Sequence, residues 1–257
     1  MSILQGFPGC ISEAGPEEVD GVGNFCLDVL APVGSDSLAD LPVLSLYFLD
    51  SHGSVPRGWF KRMWPWMSDY RPIHQTQIDW FTRISQEKQR AREQHTHNKR
   101  LHVSMVFQHI PVPEFKDPNL EIWTGHRGEP TEAPSVNSNF FAALAKQDVG
   151  VLACAHDHLN DYCARLPQTA QQNSNETPYS GPWLCYGGAA GFGGYGSYGK
   201  YPKTLYYHRR VRLWEFKMST RSLETWIRKE YGEGRVDELE LISNGLIVDQ
   251  PRDYGKP

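Results

Sequence analysis

VGVLACAHDHLNDYC, residues 149–163, is the stretch on which the fold turns. An apolar run ends abruptly in His156, Asp157, His158, Asn160 and Asp161, all side chains that resist burial and can bind metals. A short apolar run of this kind reads as a buried strand. In open α/β sheets, ligands gather just beyond the carboxyl ends of such strands. The abrupt change of composition therefore marks the rim of a sheet and a candidate site.

Upstream, LHVSMVFQHIPVPEF (101–115) begins as a second strand in which Leu101, Val103, Met105 and Phe107 alternate. His109 lies at its end, before a proline breaker. Between the two strands, NSNFFAALAKQ (137–147) reads as a short helix. Further upstream, NFCLDVLA (24–31) and PVLSLYFLD (42–50) read as strands, and residues 75–95 read as a helix with Ile78, Phe81 and Ile84 on one face. Its charged second half mixes both signs, the pattern of a solvated face rather than a nucleic-acid patch. Downstream, TLYYHRRVRLWEF (204–216) and RSLETWIRK (221–229) read as further strands. Segments 51–74 and 167–204 read as loop-rich, the former rich in Trp and Pro and the latter opening with a polar stretch. Strand, helix, strand, helix, strand is the order of a layered α/β sheet, and nothing in the 257 residues demands a domain boundary.

Bulk properties narrow the function classes. A net charge of -4 supplies no basic field for nucleic acid or an anionic membrane. No apolar run approaches the roughly 20 residues of a membrane span. Five scattered cysteines form neither a disulfide framework nor a Cys-x-x-Cys knuckle. The N-terminus lacks the basic and apolar regions of a secretory signal. Reduced thiols and a cytoplasmic location are the resulting expectation.

Three imidazoles, His109, His156 and His158, could converge on a borderline metal such as Zn, Mn or Fe. In an extended segment residues i and i+2 project to one side, so His156 and His158 could serve one metal or two adjacent ones. A metal pair is the usual device for phosphoester hydrolysis. Asp157 and Asn160 either orient the imidazoles or make ordinary loop hydrogen bonds. Cys154, His156, His158 and Cys163 could alternatively form one structural zinc site. His95 and His97 lie in a charged helix tail and read as solvated. Gly191, Gly193 and Gly196 spell a dinucleotide-type glycine pattern, but the residues that follow do not start a helix.

FQHIPVPEF (107–115) followed by CAHDHLNDYC (154–163) resembles the closing half of a calcineurin-like metallophosphoesterase, in the eukaryotic branch related to purple acid phosphatases. GPEEVDGVGNF (15–25), LSLYFLDSHG (44–53), QTQIDWF (75–81), WLCYGGAAGFGGYG (183–196) and RRVRLWEF (209–216) agree in order and spacing. The resemblance implies a layered α/β/β/α sandwich and metal-dependent hydrolysis of a phosphorylated substrate. It implies two divalent metals, with His109 and His156 on one and His158 on the other. In that family the metals generate the nucleophile that attacks phosphorus and neutralise charge on the phosphoryl oxygens.

Two departures stand out. Ala155 occupies a position that is usually Gly in the family. The family's opening motifs, Asp-x-His, Gly-Asp-x-x-Asp and Gly-Asn-His-Asp/Glu, belong upstream of the segment where this chain begins. Asp50-Ser51-His52 spells Asp-x-His, but its surroundings resemble a later family strand that carries no ligands. The expectation is a domain incomplete at its N-terminus. It is either part of a phosphatase or a non-catalytic, truncated relative that acts by binding.

Overall fold

The computed structural model describes residues 2–32, 41–56, 68–95, 102–168, 179–191 and 207–249. A seven-stranded mixed sheet forms its centre, in the order β1-β2-β5-β7-β9-β8-β6. These strands are β1 (Phe25–Leu30), β2 (Pro42–Phe48), β5 (Val103–Phe107), β6 (Glu121–Thr124), β7 (Val151–Cys154), β8 (Cys163–Pro167) and β9 (Tyr179–Tyr186). The inner strands β2, β5, β7 and β9 run parallel, while β1, β8 and β6 join antiparallel at the flanks. A four-stranded antiparallel sheet follows in chain order: β10 (Arg210–Lys217), β11 (Ser222–Lys229), β12 (Val236–Ser243) and β13 (Leu246–Ile247). The small pair β3 (Ser54–Pro56) and β4 (Ser68–Tyr70) stands apart. Helices α1 (Ser2–Gln5), α2 (Gln75–His95) and α3 (Phe140–Lys146) complete the described elements.

Both faces of the parallel strands are covered, which is why they read as nearly continuous apolar runs. On one face Tyr47, Val106, Leu152 and Leu184 pack with Ile78 and Phe81 of α2 and Phe140 and Leu144 of α3. On the other, Met105, Val151 and Trp183 pack with Leu223, Leu239, Leu241 and Ile242 of the second sheet. The fold is α/β, as the alternation of strand and helix patterns predicts.

Three expectations change. Tyr179–Tyr186 is a strand although its first residues, Tyr-Ser-Gly-Pro, have turn composition. Pairing on both sides, with β7 and β8, overrides that local preference. Segment 51–74 likewise contains β3 and β4, with residues 57–67 outside the described set. The third change concerns the thiols. Cys163 and Cys185 face each other across β8 and β9 and are disulfide-bonded, while Cys10, Cys26 and Cys154 are free. A disulfide removes the basis for an argument from five reduced thiols to a cytoplasm. Among the described residues no helix is long and apolar enough to cross a membrane.

Candidate functional site

The site lies where β5 and β7 end side by side. The two strands pair in parallel through Phe107 and Ala153, and the chain turns outward just beyond both. Hydrogen bonds lock the exits together: the Gln108 N–H donates to the Ala153 carbonyl and the Ala155 N–H to the His109 carbonyl. The buried Ser51 hydroxyl, beyond the end of β2, accepts the His109 and Ile110 N–H groups at 3.2 and 2.8 Å. His109 is thus fixed through its backbone while its ring stays exposed.

This arrangement brings His109 and His156 together. The His156 Nδ1 lies 3.4 Å from the His109 Nε2, and the rings meet edge to face with centroids 5.2 Å apart. Partial burial, followed by the charges of His156 and His158, holds the His109 imidazole below its ordinary value of 6.5. His156 is also depressed, first by burial, with Glu132 pulling the other way. Both rings therefore favour the neutral form, which is the form that binds metals.

His158 acts electrostatically on both rings but does not complete a cluster with them. Among the described residues no group of three or more His, Cys, Asp or Glu side chains is arranged to hold a metal ion. The i, i+2 geometry assumed for His156 and His158 requires an extended segment, and this one turns. The Asp157 N–H donates to the Ala155 carbonyl at 2.9 Å and the Asn160 N–H to the Asp157 carbonyl at 3.2 Å. The left-handed backbone falls on His156 itself, at φ 73°, and not on Ala155. Ala155 in place of Gly is therefore accommodated without strain. The strain falls instead on a ring-bearing residue, as often happens at functional sites.

Asp157 and Asn160 make loop hydrogen bonds. Buried Asp157 accepts the Glu132 N–H and the Tyr186 hydroxyl, the latter at 2.5 Å. Burial pushes its carboxyl up to about 6. Asn160 accepts the N–H groups of Gly128 and Glu129 through its Oδ1, while its buried Nδ2 has no hydrogen-bond partner among the described residues. Asp161 accepts the Arg210 guanidinium at 2.5 Å and the His126 N–H, and so ties the turn to β10 and to the loop before residue 127. The four-residue zinc alternative fails because Cys163 is in the disulfide and Cys154 is buried in β7. The glycine motif from Gly193 onward and His97 lie outside the described residues.

Three contributors had no signature in the sequence: Ser51, Glu132 and Tyr70. The Glu132 Oε2 lies 3.9 Å from the His156 Nε2 and accepts the Tyr70 hydroxyl at 2.8 Å. The Tyr70 ring packs edge-on against His156, with centroids 4.7 Å apart.

No protein-family model matches the chain. It is 31% identical over 240 residues, 88% of its length, to the phosphatase DCR2 of Saccharomyces cerevisiae, covering 34% of that protein. Two Arabidopsis thaliana proteins named probable inactive purple acid phosphatase, 29 and 14, are 33% and 30% identical over 201 residues. Each match takes in 75% of this chain and covers 46% and 45% of those relatives. The chain thus spans between a third and a half of the length of these curated relatives.

Proposed function

Because the chain is related to the calcineurin-like metallophosphoesterases of the purple acid phosphatase type, we propose that residues 1–257 form one domain contributing metal ligands to a phosphoester-hydrolysing centre. Its substrate on this reading is a phosphorylated molecule. The observation that carries it is the 3.4 Å approach of the His156 Nδ1 to the His109 Nε2 at the carboxyl ends of adjacent parallel strands. Two nitrogens on one tetrahedral metal, each bonded at about 2.0–2.1 Å, stand roughly 3.3–3.4 Å apart. The donor set fits a divalent metal, and Zn, Mn and Fe all accept imidazole. Such a metal supplies Lewis-acid stabilisation of the phosphoryl oxygens.

The chain's own residues prepare that site. Ser51 fixes the His109 backbone, and the 153–155 exit holds the two turns in register. Asp157 and Tyr186 anchor the His156 turn from below. His158, on the same turn, is the candidate ligand for a neighbouring metal.

A second reading, binding without turnover, is favoured by the absence of a three-ligand group among the described residues. Metal titration by calorimetry and hydrolysis of p-nitrophenyl phosphate separate the two. We expect the chain to bind less than two Zn²⁺ or Mn²⁺ per molecule, with affinity falling at least about tenfold in His109→Ala and in His156→Ala. Hydrolysis that disappears in His156→Ala establishes the catalytic reading for this chain, and binding without hydrolysis establishes the second. Metal binding indifferent to both substitutions would sink both.

A further inference from the structure

We propose that Glu132, held by Tyr70, is a positioning residue that keeps the proton of His156 on Nε2 and so turns the Nδ1 lone pair toward His109; this rests on the metal-binding reading above. An imidazole ligand needs its other ring nitrogen settled, because the proton there decides which nitrogen is free to bind. The two nitrogens of His156 have different neighbours. Nδ1 faces another imidazole nitrogen at 3.4 Å, while Nε2 faces a carboxylate oxygen at 3.9 Å. A proton on Nε2 points a positive dipole end at the carboxylate. A proton on Nδ1 would leave the Nε2 lone pair facing that same negative charge, in exchange for a long hydrogen bond to His109.

Glu132 is not a loose surface acid in this respect. Its Oε2 accepts the Tyr70 hydroxyl at 2.8 Å, and its N–H donates to both carboxylate oxygens of Asp157 at 3.2 Å. Asp157 is the residue directly after His156, so backbone and side chain of Glu132 are both tied to the turn they act on. Tyr70 contributes twice, through its hydroxyl on Glu132 and its ring against His156. At 3.9 Å the interaction is one of charge and dipole rather than a formed hydrogen bond. A metal held by His156 would strengthen that attraction, since it would draw electron density from the ring.

Long-range ¹H–¹⁵N spectra of the histidine side chains report the tautomer directly. They can be recorded on the full metal-free chain at mildly alkaline pH, with Zn²⁺ titration by calorimetry alongside. The Glu132 side chain is 64% exposed, so Glu132→Ala is expected to fold. In the wild type His156 carries its proton on Nε2. In Glu132→Ala the population moves toward Nδ1, and zinc affinity falls by about tenfold to a hundredfold. Glu132→Gln, which removes the charge and keeps only an amide dipole, recovers the tautomer in part. Glu132→Asp, which keeps the charge, recovers more of it, and Tyr70→Phe falls between wild type and Glu132→Ala. A wild-type proton on Nδ1, or a tautomer unmoved by Glu132→Ala, overturns the proposal. Zinc binding that ignores His109→Ala and His156→Ala overturns the metal reading instead, and the tautomer spectra tell that failure apart.

Discussion

Two turns leave parallel strands on either side of β5, and each carries a histidine in left-handed backbone: His52 after β2, at φ 58°, and His156 after β7, at φ 73°. Each histidine also lies close to an aspartate in sequence, in Asp50-Ser51-His52 and in His156-Asp157-His158. The first turn is saturated. Asp50 accepts the His52 and Val22 N–H groups at 2.8 Å, and the His52 Nε2 meets the Gln77 Oε1 at 2.9 Å. At the second turn, among the described residues, the ring nitrogens of His156 meet another imidazole at 3.4 Å and a carboxylate at 3.9 Å. The His52 side chain is 7% exposed and that of His156 20%. The difference teaches that a spelled motif does not mark a site. Bonding capacity left open among the described residues at the rim of the sheet is what supports the metal-binding reading proposed for the second turn.

The sharpest way to break that comparison is Gln77→Leu. Gln77 is fully buried, donates to the Asn24 side chain and the Asp50 carbonyl, and accepts the His74 N–H while its Oε1 also meets His52. Leucine would strand several buried polar groups at once, at a cost of about 3 kcal/mol or more. Urea unfolding should show that loss while calorimetric zinc affinity stays within about twofold of wild type. A parallel loss of zinc affinity would mean that the closed turn is part of the metal site after all.

A gentler comparison uses glycine at both left-handed histidines. His156→Gly relieves an unfavourable backbone conformation and, among the described residues, gives up no firm side-chain hydrogen bond, so stability should rise by about 1 kcal/mol. His52→Gly relieves the same kind of strain but removes one of the partners of buried Gln77, and the net change should be a loss of about 1 kcal/mol. Opposite signs at two positions with the same backbone geometry would be visible in thermal midpoints. Equal signs would show that the side-chain bonding at His52 contributes little.

Much of this was legible in the sequence, for identifiable reasons. The helix over 75–95 and the strands that end shortly before His109 and His156 follow from periodicity and from the abrupt stop of apolar runs. The pairing of His109 with His156 follows because both sit at ends of parallel strands. What stayed hidden depends on contacts distant in the chain. Ser51 reaches His109 from 58 residues away, and Tyr70 reaches Glu132 from 62. Tyr179–Tyr186 becomes a strand only because two neighbours offer it hydrogen-bonding edges. The turn at 155–160 was hidden as well, because composition alone does not separate a turn from the extended segment that would set His156 and His158 on one side. The cross-strand disulfide was hidden for the same reason as Ser51, since nothing local aligns Cys163 with Cys185.

The smallest expected effect concerns acid, and it sharpens the description of the open turn. Burial, the first cause at both rings, holds His109 and His156 below the ordinary imidazole value of 6.5 in the folded chain. Unfolded imidazoles therefore bind protons before folded ones do as the pH falls. The stability contributed by keeping these rings neutral is fully present above about 6.5 and drains away below it, until the folded value is reached. Asp157, raised to about 6, works in the opposite sense, since its folded carboxyl holds a proton more firmly than an unfolded one. The comparison must therefore be a difference between variants that leave Asp157 in place. The double substitution His109→Ala, His156→Ala should lose less stability than wild type between about pH 7.5 and about pH 5.5. An unchanged acid slope would show that the rings are not kept neutral by their surroundings. Saturating zinc should steepen the wild-type slope and leave the double variant alone, because protons and metal compete for the same two nitrogens. A ring kept neutral is what a ligand requires, and the same condition makes the His109–His156 pair sensitive to acid.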